Sequence, residues 1–267
     1  MRPRHVLAVA LGLVLLVAGC GEQARTTPRA DRPTATATPS ASLAPALTPT
    51  PAPRPTRTTP RRPPLRPKPT TLPAGLSRTT GVRGVALTFD DGPDPTWTPK
   101  VLDQLRAARV SATFCVVGIQ VRKYPALVAR MVREGHQLCN HSWRHDMDLG
   151  RRPVAEIRAD MVRTNQAIRA AVPGAKVPFF RQPGGRWTPE EVVVARQLGM
   201  RPLHWSVDPQ DWAKPTMPTI VHRVEAAARP GAVILMHDGG GDRGGTLAAC
   251  PHLISNLKRR FGIVRLR

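Results

Sequence analysis

From about residue 79 onward, apolar and polar positions follow two alternating rhythms. Short apolar runs of strand length are separated by stretches whose apolar residues recur every three or four positions. Strands are predicted over Val82–Asp90, Ser111–Val117, His136–His141, Val177–Gln182, Leu203–Val207, Ala232–His237 and Ile263–Leu266, seven in all. Between them the pattern predicts helices over Pro99–Arg109 (Thr98 as cap), Tyr124–Glu134 (closed by Gly135) and Pro153–Val172. Three more follow: one from the capping box Thr188-Pro189-Glu190-Glu191 to Leu198, one over Pro218–Ala228, and one over about Thr246–Arg260. Val154, Ile157, Met161 and Ile168 lie at helical spacing in the third helix. Such strand–helix repetition predicts an α/β fold, a mostly parallel sheet with helices outside it. Seven strands joined by short loops suit a closed or nearly closed barrel better than an open sheet.

The first 78 residues break both rhythms. Arg2 and Arg4, an apolar run from Val6 to Val17 and the ending Ala18-Gly19-Cys20 have the charged start, apolar middle and small-residue end of a secretory signal. The run is short for a membrane span, which needs about 20 residues. Val17-Ala18-Gly19-Cys20 resembles a bacterial lipobox, which implies Cys20 as a lipidated N-terminus after cleavage; ordinary secretion is the alternative. Residues 21–78 are dominated by Pro, Thr, Ala and Arg, as in Thr48-Pro49-Thr50-Pro51-Ala52-Pro53-Arg54-Pro55. No core can form from that composition, and its prolines favour an extended spacer. The expected organisation is therefore a signal over 1–20, a disordered linker over 21–78 and a catalytic domain over 79–267.

The formal net charge is +22, shared between the linker region and the domain. A basic exported chain is drawn to anionic surfaces such as lipid headgroups or an acidic wall. Nucleic acid is set aside, because export removes the chain from it and no nucleic-acid motif is present. Export also permits disulfides. Cys115 and Cys139 fall in consecutive predicted strands, where a bridge and a pair of buried free thiols are both compatible with the pattern, and Cys250 is left over.

The polar clusters fall just after strands. Thr88-Phe89-Asp90-Asp91-Gly92-Pro93 ends an apolar run with adjacent carboxylates, which are costly to bury unless paired, hydrogen-bonded or metal-bound. His141-Ser142-Trp143-Arg144-His145 places two imidazoles four residues apart, on one face if the segment forms a helical turn. Two such nitrogens with an aspartate make a catalytic-zinc type of ligand set with an open position. Arg181 with Pro183-Gly184-Gly185, Asp208-Pro209-Gln210-Asp211-Trp212, and His237 after Val233–Met236 bring a cation, carboxylates, an aromatic wall and a third imidazole to the same rim.

In order and spacing, these five segments, with Leu235-Met236-His237 as the last, resemble the motifs of the polysaccharide deacetylases, carbohydrate esterase family 4 with its NodB-homology domain. The resemblance covers about residues 82–267. It implies a distorted (β/α) barrel, a divalent metal (usually zinc or cobalt), and removal of acetyl groups from N-acetylglucosamine polymers or, in some members, from acetylated xylan. By motif it implies Asp90 as general base and Asp91, His141 and His145 as metal ligands. Arg181 would hold Asp90 ionised, and His237 would be the general acid tuned by Asp211. Trp212 and Leu235 would line the acetyl pocket beside Pro183 and Gly184. The chain departs from the family at Gly184, where an aromatic usually follows the proline. The backbone N–H used for the oxyanion survives there, and the aromatic wall does not. Peptidoglycan is the preferred expected substrate, since a lipid-tethered basic domain sits beside that polymer. Chitooligosaccharide and acetylxylan remain alternatives, as does a non-catalytic wall-binding protein on the same scaffold. A monomer at the outer face of the membrane is expected.

Overall fold

The computed structural model describes residues 64–267; the signal segment, Cys20 and the linker up to residue 63 lie outside the described residues. Six strands form one sheet: β1 Ala86–Asp90, β2 Thr113–Val116, β3 Gln137–Asn140, β4 Phe179–Phe180, β5 Arg201–Pro202 and β6 Val233–His237. Their order is β5-β4-β3-β2-β1-β6, with every neighbouring pair parallel. Among the described residues are seven α-helices, six between strands and the last after β6: α1 Thr98–Ala108, α2 Gly118–Lys123, α3 Pro125–Arg133, α4 Val154–Ala171, α5 Pro189–Gln197, α6 Met217–Ala227 and α7 Gly244–Arg260. Past β5 the chain reaches the opposite edge of the sheet. Val207 forms a parallel bridge with Ile234, and the Leu235 N–H donates to the Val207 carbonyl at 2.9 Å. The sheet thus curls until its edges meet, giving the distorted parallel α/β barrel.

Strand periodicity sorts the side chains. Leu87 and Phe89 of β1 join Phe114, Val116, Leu138, Ile234 and Met236 in the large core beneath the helices. Ala86, Cys115, Cys139, Phe179 and Val233 form the smaller core inside the curl. Because successive side chains in a strand face opposite ways, Thr88 and Asp90 must share Ala86's inner face. The hydrophobic pattern of β1 therefore aims Asp90 into the barrel.

Several boundaries differ from the pattern. The expected seventh strand, Ile263–Leu266, is reduced to a single bridge from Ile263 to Val85. Of the expected strand Leu203–Val207, Leu203 and Val207 make only isolated bridges, and β5 lies just before it. The segment after β5 crosses the seam to β6 and Ile263 meets only the residue before β1, so each finds a partner for only a residue or two and apolar character does not extend into a ladder. Thr98 is the first helical residue of α1 and not its cap; its hydroxyl accepts the Asp94 N–H at 2.8 Å. The capping box of α5 forms as expected, with the Thr188 N–H donating to Glu191 Oε2 at 3.0 Å. Cys115 and Cys139 are register partners of β2 and β3 and are joined in a disulfide, whereas Cys250 is a buried free thiol. In the segment read as the end of the linker, the Arg66 N–H donates to the Arg151 carbonyl at 2.8 Å, and the Arg66 guanidinium to Glu190 at 2.6 Å. No helix among the described residues is long and apolar enough to cross a membrane.

Candidate active site

Arg181, just past β4, is fully buried inside the barrel. Its Nη1 donates to Asp90 Oδ1 at 2.6 Å and to Thr88 Oγ1 at 2.9 Å, so it reads the inner face of β1. Its Nε and Nη2 donate to the carbonyls of Leu203 and His204 at 3.3 and 3.2 Å. A buried charge is tolerated when it is paired and its donors are used; here both conditions hold.

The backbone reverses at Asp91, which adopts φ 76°, and turns through the cis Gly92–Pro93 bond. Gly92 is required at this turn, because a Cβ there would run into the Asp238 carboxylate. Asp238 is itself held by Thr98, whose hydroxyl donates to Oδ2 at 2.5 Å, while burial pushes Asp238 up to about 7. Its N–H donates to the Asp90 carbonyl at 3.0 Å, so it supports the aspartate turn from behind.

His141 and His145 do not lie on a helical turn. Ser142 and His145 have φ 63° and 57°, and the segment winds as a loop. The loop is held by side-chain acceptors: Asn140 Oδ1 accepts the Ser142 N–H at 3.0 Å and Asp160 Oδ1 accepts the Trp143 N–H at 2.8 Å. The loop nonetheless brings the two rings together, 5.0 Å between centroids. His141 Nδ1 donates to the Arg181 carbonyl at 2.8 Å, which leaves its Nε2 with a lone pair. That nitrogen lies 3.5 Å from Asp91 Oδ1, and His145 Nε2 lies 3.2 Å from the same oxygen.

Asp91, His141 and His145 each offer a ligand atom, all within 4.8 Å of one another. Asp91 Oδ1 is buried with no hydrogen-bond partner. An orphaned carboxylate oxygen facing the His141 lone pair, with the His145 nitrogen beside it, is a donor set that fits a divalent metal. Burial acts to raise Asp91, and the imidazoles of His141, His237 and His145 outweigh it and keep the carboxyl below its ordinary range.

His237 ends β6 as the register partner of Asp90. Its Nδ1 donates to Asp211 Oδ1 at 2.7 Å, and its backbone N–H donates to Asp211 Oδ2 at 2.9 Å. Thr246 completes the clamp at 2.7 Å from Asp211 Oδ2. Burial disfavours the imidazolium, but Asp211, with Asp91 and Asp90 beyond it, outweighs burial and pushes His237 up to about 9.

A cavity of about 380 Å³ lies elsewhere, at the start of β3; the cavity lined by Asp90, His141 and His237 is about 300 Å³. Of the residues expected at the site, Asp90, His141, Gly184, Trp212, Leu235 and His237 line the latter. Asp91, His145, Arg181 and Asp211 stand behind or beside that wall, and Pro183 is buried under it without lining it. Met147, Arg186, Trp205 and Asp208 also line it and had not been singled out as site residues. Asp208 sat within a motif already noted. Met147 and Arg186 carried no local signal, because loop curvature alone brings them in.

The fold and site define the class. A profile described as polysaccharide deacetylase matches residues 77–203. The chitooligosaccharide deacetylase of Bradyrhizobium sp. (strain ANU 289) is 44% identical over 192 residues, 68% of this chain and 87% of that protein. The chain belongs to the polysaccharide deacetylase family. The crystal structure of a peptidoglycan N-acetylglucosamine deacetylase superposes with a TM-score of 0.67 at 34% identity, covering 71% of this chain and 88% of that one. A pseudoenzyme of carbohydrate esterase family 4 from Bacillus anthracis superposes at 0.64 and 29% identity; the match covers 69% of this chain and spans 64% of that longer one.

Proposed function

We propose that the domain hydrolyses N-acetyl groups of an extracellular N-acetylglucosamine polymer, with peptidoglycan as the substrate, and that it is held at the outer membrane face through Cys20. The observation that carries the reading is the pairing of Asp90 with Arg181 at 2.6 Å beside that of His237 with Asp211 at 2.7 Å, a carboxylate acceptor and an imidazole whose pKa is raised, at one cavity. The relatives named above support an acetylated glycan. The basic linker and lipobox-like start support the wall as its location.

Asp91, His141 and His145 would hold the cation, zinc or cobalt by the chemistry of their donors. When bound, it supplies Lewis-acid polarisation of the scissile carbonyl and eases deprotonation of water. Arg181 donates to Asp90 Oδ1, which leaves Oδ2 to take the proton from the attacking water. The Gly184 N–H is the proposed donor to the oxyanion that forms as the water oxygen bonds to carbon. His237, with Nδ1 committed to Asp211, delivers its Nε2 proton to the sugar nitrogen. The C–N bond then breaks to release acetate and an amine. Trp212 and Leu235 close the acetyl end of the cavity.

Acetate release from purified muropeptides, chitooligosaccharide and acetylxylan, each with and without chelator, tests this. Chelator-sensitive release from muropeptides is expected, and release from xylan alone would refute the wall-directed version. The likeness to a pseudoenzyme favours a second reading, a non-catalytic wall-binding protein. That reading predicts glycan binding with no acetate from any of the three.

A further inference from the structure

Gly184 leaves an open place in the cavity wall, and neighbouring residues fill it in a particular way. A Cβ on Gly184 would meet the Met147 thioether and the stem of Arg186. Both residues line the cavity with Asp90 and His237. Neither position is left to chance. Buried Gln182 donates its Nε2 to the carbonyls of Asp146 and Met147 at 3.1 and 3.2 Å, fixing the loop that carries Met147. Arg186 lies between the Pro183–Gly185 turn and Trp187, which is 2% exposed and packs edge-on against Phe180.

The guanidinium of Arg186 is poorly neutralised. Its nearest carboxylate among the described residues is Asp148, with Oδ1 at 3.9 Å, and that oxygen is taken by Arg151 at 3.1 Å. The side chain is 42% exposed, so its charge is available to a ligand. The anionic groups of the cavity are disposed otherwise. Asp90 is neutralised by Arg181, whereas Asp208 Oδ1 accepts only the Gln210 N–H at 2.7 Å, so Asp208 keeps its charge at another part of the lining. A planar, always-charged fork beside a sugar site suits a carboxylate, which it binds through two parallel hydrogen bonds.

We propose that Arg186 is a specificity-determining residue that binds a free carboxylate on the sugar unit flanking the reacting N-acetylglucosamine, selecting glycan strands without stem peptides over strands whose lactyl carboxyl is amide-linked. The proposal rests on the deacetylase reading. It places the carboxylate at the Gly184 wall, with Met147 as the apolar surface beneath the flanking sugar.

The test uses the metal-loaded full chain and a matched pair of N-acetylglucosamine oligomers. In one, alternate units bear a lactyl-ether carboxylate; in the other, that carboxylate is converted to its amide. The readout is the ratio of kcat/KM for the two oligomers. Wild type should favour the carboxylate by roughly five- to tenfold, the size of one charge-assisted contact partly screened by water. R186Q should bring the ratio close to one, and R186K should retain part of it. A wild-type ratio near one overturns the proposal. So does an R186Q variant that slows both oligomers equally, since a merely structural role moves both together. If neither oligomer is deacetylated, the deacetylase reading fails separately. Calorimetric binding of the same pair to wild type and R186Q then decides the carboxylate preference on its own.

Discussion

Asp90 and His237 are register partners on adjacent parallel strands, yet each is held by a partner of opposite charge type. Arg181 donates to the carboxylate and Asp211 accepts from the imidazole, and each partner arrives from a distant part of the chain. A carboxylate and an imidazole are thereby set side by side in the wall of one cavity.

Replacing Asp90 with Asn removes the proton acceptor while leaving Asp91, His141 and His145 in place. Turnover should fall roughly 10²–10⁴-fold with metal content preserved. Arg181 loses its charge partner in this variant, so a lowered melting temperature should accompany the loss. Acetate release measured alongside metal analysis checks this. Unchanged turnover would remove Asp90 from the role of base.

His237 should act as acid only below its raised pKa. The rate should therefore fall as pH rises through about 9. In Asp211→Asn the carboxylate that outweighs burial is gone, and the falling limb should move to lower pH. The same shift has a stability consequence: the folded-state value lies above the ordinary 6.5, so this contribution is fully present below about 6.5 and lost as pH climbs through about 9. A pH–rate profile of the two proteins, with melting temperatures at each pH, tests both statements. Coincident limbs would separate Asp211 from the tuning of His237.

His141→Ala removes a nitrogen whose tautomer is fixed by the Arg181 carbonyl. Stoichiometric divalent metal binding should disappear in the purified variant. Wild type treated with chelator should lose turnover and regain it on addition of zinc or cobalt. Metal content by elemental analysis after dialysis decides the first point. A variant that still binds one ion per chain would mean that the cation is held elsewhere.

The Cys115–Cys139 disulfide spans 24 residues and staples β2 to β3 inside the barrel. Replacing both cysteines with Ala should lower unfolding stability by about 3 kcal/mol, chiefly by freeing the unfolded chain. Denaturant titration of oxidised wild type and the double variant measures this. Equal midpoints would show that the staple adds nothing beyond the ladder around it.

Much of the site was legible residue by residue. The motif segments supplied the aspartates, histidines and Arg181, and the capping box of α5 formed where Thr188 and Glu191 stand. The helical-turn reading of His141–His145 failed because Ser142 and His145 adopt the left-handed region, with φ 63° and 57°, which an α-helical turn does not allow. The seventh strand failed because a strand needs a neighbour along its length, and Ile263 finds one only at Val85.

The sequence by itself determined the alternation of strand and helix, the inward aim of Asp90 in β1 and the chemical inventory of the rim. Those depend on neighbours a few positions away, where backbone periodicity is decisive. The tertiary structure alone decided that Arg181 reaches Asp90 across the barrel, that Asp211 clamps His237, and that Met147 and Arg186 fill the wall left open at Gly184. These encounters depend on sheet register and curl, which arise from packing the whole chain and have no local signature in any stretch of it.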